Sequence, residues 1–145
     1  MSPSEVRKII PGLTVPADPD EFPDGAKELL RLDDIEIVHR HFRVLFYFKE
    51  NKLSQVTVNL KKPAGFTDVM QVFESLTEVL RSKYGKEVSR KIEKGEASSA
   101  GRMNTADATW MQGKTNINLF LISFGPTDEL NINYQMRLAK EAEKL

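Results

Sequence analysis

The chain has 145 residues, enough for one domain with a real core, and no cysteine, which excludes disulfides, thiolate nucleophiles, zinc ribbons and iron–sulfur sites. Lys plus Arg equals Asp plus Glu at 21 each, so no net field steers the molecule to nucleic acid or to an anionic membrane. With two histidines in the whole chain, the inventory for acid–base catalysis or metal ligation is thin.

No run approaches the ~18 apolar residues of a membrane span, and the opening residues do not read as a signal peptide. The compartment is left open: periplasm or cell envelope if a signal peptide has been removed, cytoplasm otherwise. Ser2-Pro3-Ser4-Glu5 reads as a helix start, with Ser2 as N-cap, Pro3 at the first helical position and Glu5 completing a capping box. Val6, Ile9 and Ile10 form its apolar stripe, and Pro11-Gly12 stops it after about two turns. A loop with Pro16, Pro19 and Pro23 follows, and Ala26–Leu32 reads as one or two helical turns. The segment 15–36 holds eight acids against Lys27 and Arg31, whereas 37–62 holds six bases against Glu50. That segregation predicts acids lying over basic parts of the same fold or solvated faces of either sign, with a basic partner-binding patch as the alternative.

Phe42, Val44, Phe46 and Phe48 alternate with His41, Arg43, Leu45 and Tyr47, the period of a strand, and Val56, Val58 and Leu60 repeat it after a turn at 49–52. A three-residue loop with Asn51 left-handed would pair Val44 with Val56 and Phe42 with Val58, keeping apolar residues on one face. Thr67 is a candidate cap for the surest helix, in which Val69, Phe73, Leu76, Leu80 and Tyr84 recur at helical spacing until Gly85. Lys86–Gly95 reads as a further polar helix and Glu96–Asp107 as a loop. The chain then predicts strands at 107–112, 115–124 and 130–137 and a terminal helix from about Leu138. A two-residue turn at Gly113-Lys114 sets Trp110 opposite Ile117 and Ala108 opposite Leu119. A four-residue loop at 125–128 would set Leu121 opposite Ile132 and Leu119 opposite Tyr134.

These elements predict a single α+β domain over 1–145: an antiparallel meander sheet of five or six strands with a long helix packed on one face. Both halves also admit an αβββ reading, a pseudo-duplication.

Several look-alikes fail on chemistry. Gly113-Lys114-Thr115 has the end of a phosphate loop, but Trp110 fills the loop and a strand follows where a helix must begin. Asp18, Asp20, Asp24 and Gly25 imitate a calcium loop, with Phe22 where a third ligand belongs and no closing Glu. His39 and His41 would share a strand face if extended and could hold zinc or copper, with Asp33 or Asp34 as the nearby third ligand. Ser54 and Ser123 lack an elbow motif and an identifiable His–carboxylate pair. No catalytic residue, metal site or cofactor is therefore assigned.

What stands out is the sheet face opposite the helix. It is predicted to carry Asn116, Asn118, Asn131, Asn133 and Gln135 with Leu45, Tyr47, Phe120, Ile122 and Phe124 set among them. Rings rimmed by amides supply driving force and directional bonds for a protein contact. Leu45, Tyr47, Asn118, Phe120, Ile122, Phe124 and Asn133 are accordingly the candidate partner-binding residues. The opening segment, with Val6, Leu13 and Leu29, competes for the same face.

Met1-Ser2-Pro3-Ser4-Glu5-Val6 resembles the opening helix of bacterial envelope modules of the BamE and β-lactamase-inhibitor-protein type. Phe46–Leu53, Lys83-Tyr84-Gly85 and Trp110 ahead of Thr115–Leu119 resemble turns and core positions of small, often exported, bacterial α+β proteins of unknown function. The resemblance implies a non-enzymatic protein-interaction module of the cell envelope whose partner is another protein or peptide. The lack of cysteine and the charged stretch 86–102 depart from the inhibitor pattern. A helix–three strands–helix–two strands–helix order also resembles type III secretion chaperones, implying a cytosolic homodimer as the second reading. A small enzyme or metal protein centred on His39 and His41 is the third.

Overall fold

Strand residues make up 52% and helix residues 20% of the described residues, so the sheet organises the fold and the helices cover it. The computed structural model describes residues 1–96 and 101–136. In chain order these form α1 (Pro3–Ile9), β1 (Lys27–Ile37), β2 (Arg40–Lys49), β3 (Lys52–Leu60), α2 (Phe66–Tyr84), β4 (Ser89–Lys94), β5 (Met103–Gln112), β6 (Thr115–Phe124) and β7 (Thr127–Met136). All the strands join one seven-stranded antiparallel sheet in the order β1-β2-β3-β7-β6-β5-β4.

This corrects the expected five- or six-stranded meander under a long helix. Two meanders, β1–β3 and β4–β7, meet edge to edge where β3 pairs with β7, and α2 carries the chain from the centre of the sheet to its far edge. The helical turns expected at 26–32 are in β1 from Lys27 onward, and the polar helix expected at 86–95 contains β4. The loop expected at 96–107 is in β5 from Met103 onward. The terminal helix expected from about Leu138 lies outside the described residues.

Each correction has a local cause. Bulges in β1, between Glu28 and Leu30 and between Leu32 and Ile35, break the two-residue period that would have marked it as a strand. In β4 all six residues are exposed and Ile92 is the one large apolar side chain, as suits a charged edge strand with a neighbour on one side.

Turn chemistry moves two of the three tested registers. Glu50 and Asn51 both take positive φ, 50° and 64°, making a two-residue turn that pairs Lys49 with Lys52. Parity would then fail, but a bulge between Tyr47 and Phe48 restores it, so Phe46 meets Val56, Val44 meets Val58 and Phe42 meets Leu60. Gly125, at φ 59°, and Pro126 make another two-residue turn, pairing Phe124 with Thr127 and Leu121 with Leu130 instead of Ile132. The Gly113-Lys114 hairpin pairs Trp110 with Ile117 and Ala108 with Leu119, as expected.

One core lies on one face of the sheet. Phe42, Val44, Phe46 and Val58 from one meander and Trp110, Leu119, Leu121 and Leu130 from the other pack with Val69, Phe73, Leu76 and Leu80 of α2 and Val6 of α1. The Trp110 indole donates to the Gly85 carbonyl at 2.8 Å, tying the end of α2 to β5. α1 carries the capping box read from its residues, with the Glu5 N–H donating to Ser2 Oγ at 3.3 Å and the Ser2 N–H donating to Glu5 Oε1 at 3.2 Å. Thr67, by contrast, does not cap α2, whose N-cap is Gly65. The Asp68 carboxylate reaches back to the Ala64 N–H at 2.9 Å, and Asp128 accepts from the Gly65 N–H at 3.0 Å. Among the described residues no helix is long and apolar enough to cross a membrane.

Candidate functional site

Because strand side chains alternate, the same pairing that gathers the core lays a second set of residues in rows across the opposite, outer face. One row runs Arg31–Leu45–Thr57–Asn133–Asn118–Thr109 and the next Arg43–Asn59–Asn131–Phe120–Asp107. A third passes Glu28–Tyr47–Gln55–Gln135–Asn116. The polar members bond along the rows. Asn133 Oδ1 accepts from Thr57 Oγ1 at 2.9 Å and from Gln55 Nε2 at 3.3 Å. Asn59 Nδ2 donates to Asn131 Oδ1 at 2.6 Å, Gln135 Nε2 donates to Gln55 Oε1 at 3.0 Å, and Asn118 donates to Asp107 and Thr109.

The ladder leaves hydrogen-bonding capacity free. Among the described residues no hydrogen bond uses the Asn133 amide N–H groups, Asn59 Oδ1 or Gln135 Oε1. Donors and acceptors are thus interspersed across the face, in the manner needed to meet a peptide backbone.

The segment 20–28 builds a wall at one end. Phe22-Pro23-Asp24-Gly25 closes a turn in which the Gly25 N–H donates to the Phe22 carbonyl at 2.9 Å and the Phe22 N–H to the Ala26 carbonyl at 2.8 Å. The turn lowers Phe22 onto Tyr47, making a small second cluster with Ala26 and Leu45. Behind it the fully buried Glu28 carboxylate accepts both arms of the Arg31 guanidinium, at 2.6 and 2.8 Å, and the Asp20 N–H at 3.4 Å. The Tyr47 hydroxyl donates to Asp20 at 3.4 Å, and burial, aided by the charges of Asp20 and Glu28, holds it well above the usual phenol range.

Between this wall and β7 lies a groove of about 760 Å³, floored by Leu45, Tyr47 and Thr57 and bordered by Arg43, Asn59, Asn131, Asn133 and Gln135. A second cleft of about 760 Å³ adjoins it, lined by Arg40, His41, Lys61 and Lys62, and the two share Arg43 and Asn59.

The seven candidate residues therefore divide. Leu45, Tyr47 and Asn133 come together in the groove, with Leu45 and Tyr47 themselves buried. Asn118 continues the ladder onto β6, where Phe120 and Ile122 are half-buried and Phe124 keeps 40% of its surface exposed. The opening residues do not seal this strip: Val6 and Leu13 join the main core, and Phe22 covers Tyr47. Residues missed in the sequence are Phe22, Glu28, Arg31 and Arg43. The Pro-Asp-Gly turn signal could have found the first, but Glu28 and Arg31 sat in a segment read as helical.

The acidic segment does lie over bases of β2 and β3. Asp34 accepts from His41 at 3.0 Å and Lys61 at 3.3 Å, and Asp24 and Asp33 stand 4.0 Å from Lys49 and Arg43. His39 and His41 do not share a strand face, because Val38 and His39 form the β1–β2 turn at φ 49° and 61°. His39 is 99% exposed, while His41 is committed to Asp34. No group of three or more His, Asp or Glu side chains that could hold a metal ion occurs among the described residues.

Comparison of the chain with protein-family models, with curated proteins and with solved structures finds no match in any of the three.

Proposed function

We propose that this chain is a non-enzymatic interaction module that holds a segment of another protein on the outer face of its sheet. The observation that supports the reading is the juxtaposition on that face of a half-buried to exposed apolar strip, Phe120, Ile122 and Phe124, with amides that keep donors and acceptors free among the described residues. The rings contribute the apolar area that drives association, and the amides select an extended backbone. The groove beside Tyr47 offers concavity, so a bound segment is gripped rather than laid on a plane. A place in the bacterial cell envelope belongs to this reading through the resemblance of Met1–Val6 and the 46–53 hairpin to BamE-type modules.

The test is a selection of displayed random peptides against the folded chain, followed by affinity measurement on the Phe120→Ser/Phe124→Ser double variant. Peptides that bind the native chain and lose about tenfold or more on the variant, with its circular dichroism and melting unchanged, support the reading. Failure to select any peptide, or binders indifferent to both substitutions, overturns it.

A further inference from the structure

We infer that Arg43 is a carboxylate anchor, so that the segment held on this face is an extended acidic peptide with an Asp or Glu seated on that guanidinium. The inference rests on the interaction reading above and adds the chemistry of the occupant. It starts from a comparison of the three arginines of β1 and β2, of which Arg31 and Arg43 lie on the outer face and Arg40 on the helix side. Arg31 is forked onto Glu28 at 2.6 and 2.8 Å, and Arg40 onto Asp68 at 2.6 and 3.1 Å. Among the described residues Arg43 has no such forked partner: its Nε is shut away from solvent without a hydrogen-bond acceptor, and the Asp33 carboxylate stands 4.0 Å off.

A guanidinium presents a planar fork that matches a carboxylate, and leaving its N–H groups unbonded is costly. The Arg43 side chain nonetheless keeps 40% of its surface, at the point where the amide groove and the second cleft meet. Its surroundings in that cleft favour an anion. Arg40, Lys61 and Lys62 line it with His41 against Asp34, and among the described residues the Lys62 ammonium has no hydrogen bond or ion pair. The acids nearest the fork are engaged elsewhere or too far: Asp34 with His41 and Lys61, Glu129 with the Asn131 amide, Asp33 at 4.0 Å.

Register supplies the spacing. Arg43 pairs with Asn59, Asn59 with Asn131 and Asn131 with Phe120, so the anchor and the first ring of the apolar strip lie on one row, three strand intervals apart. At ~4.8 Å per interval that is roughly 14 Å, which an extended chain at ~3.4 Å per residue covers in about four residues. Between them Asn59 Oδ1, and on the adjacent row the Asn133 amide, both without a hydrogen bond among the described residues, face the backbone of such a ligand. The occupant is a peptide crossing the strands with an acidic residue four positions from an aromatic one.

The experiment uses a dye-labelled peptide with Glu and Phe four positions apart, its Glu→Gln counterpart, and one with the two residues adjacent. Fluorescence anisotropy is read on the full chain and on Arg43→Gln, Arg43→Lys and Phe120→Ser. The expected result is a loss of about tenfold or more for Arg43→Gln, a similar loss for the Gln peptide on the native chain, and no further loss when both changes are combined. Arg43→Lys falls between, because it keeps charge and loses the fork, and the adjacent-residue peptide binds more weakly than the spaced one. The Gln peptide on native protein keeps the test valid even if Arg43→Gln fails to fold. Binding that depends on Phe120 but is equal for Glu and Gln peptides overturns the anchor and leaves the interaction reading standing. Absence of binding by every peptide overturns the anchor, and the display selection then decides the broader reading independently.

Discussion

Phe22 lies nearly flat against Tyr47, with ring centroids 4.3 Å apart and planes 20° from parallel. The contact joins a turn that precedes the first strand to the last part of the second, and it makes a groove wall from what would otherwise be a solvated acidic loop. Phe22→Ala should therefore free residues 20–26 without disturbing the sheet. The expected cost is about 1–2 kcal/mol, from an aromatic pair and partly buried ring area. Hydrogen exchange checks it: the Phe22 N–H, bonded to the Ala26 carbonyl at 2.8 Å, should lose protection while β5 and β6 keep theirs.

Glu28 is fully buried, and its two oxygens are held by Arg31. Removing the guanidinium leaves a carboxylate with little besides the Asp20 N–H at 3.4 Å. Arg31→Met should cost about 3 kcal/mol in urea unfolding, whereas Glu28→Met with Arg31→Met should recover much of that loss, because no buried charge then remains. Equal stability of the single and double variants would show that the pair is not the source.

Arg40 beside Asp68, and the Ala64 N–H behind it, hold the Asp68 carboxyl below the usual carboxylate range. A lowered folded value means stability that is complete above the unfolded value of about 3.9 and lost as pH falls through the folded one. Asp68→Asn should cost about 1 kcal/mol near neutral pH, and the gap to the native chain should close as pH is lowered from about 5 toward 2. Urea midpoints measured across that range give the answer, and a gap independent of pH would remove the ion pair as its cause.

Glu50 and Asn51 both adopt left-handed backbone in a two-residue turn, a conformation that Asn-Gly meets with less strain. Glu50→Asn with Asn51→Gly should raise stability by about 0.5–1 kcal/mol and leave the Lys49–Lys52 pairing intact. Thermal melting reports the gain, and a loss would argue that the bulge at Tyr47 and Phe48, not the turn, governs this register.

Periodicity alone separated the two faces of β2, β3, β6 and β7. Phe46 and Leu119 were legible as core, and Asn118, Phe120 and Asn133 as the opposite face, because a strand side chain has two directions and neighbours in sequence must take different ones. The capping box of α1, the helical period of α2 and the Gly113-Lys114 turn were legible for the same reason, since each depends on residues within a few positions of one another. Tertiary structure alone decided what local pattern cannot encode. Bulges hid β1, a charged edge hid β4, and two-residue turns moved two hairpin registers by a pair of residues without changing parity. The β3–β7 junction brings Thr57 against Asn133, 76 positions apart, and only that long-range pairing makes a groove of two half-sheets and leaves Arg43, alone of the three arginines of β1 and β2, without a carboxylate within hydrogen-bonding reach among the described residues.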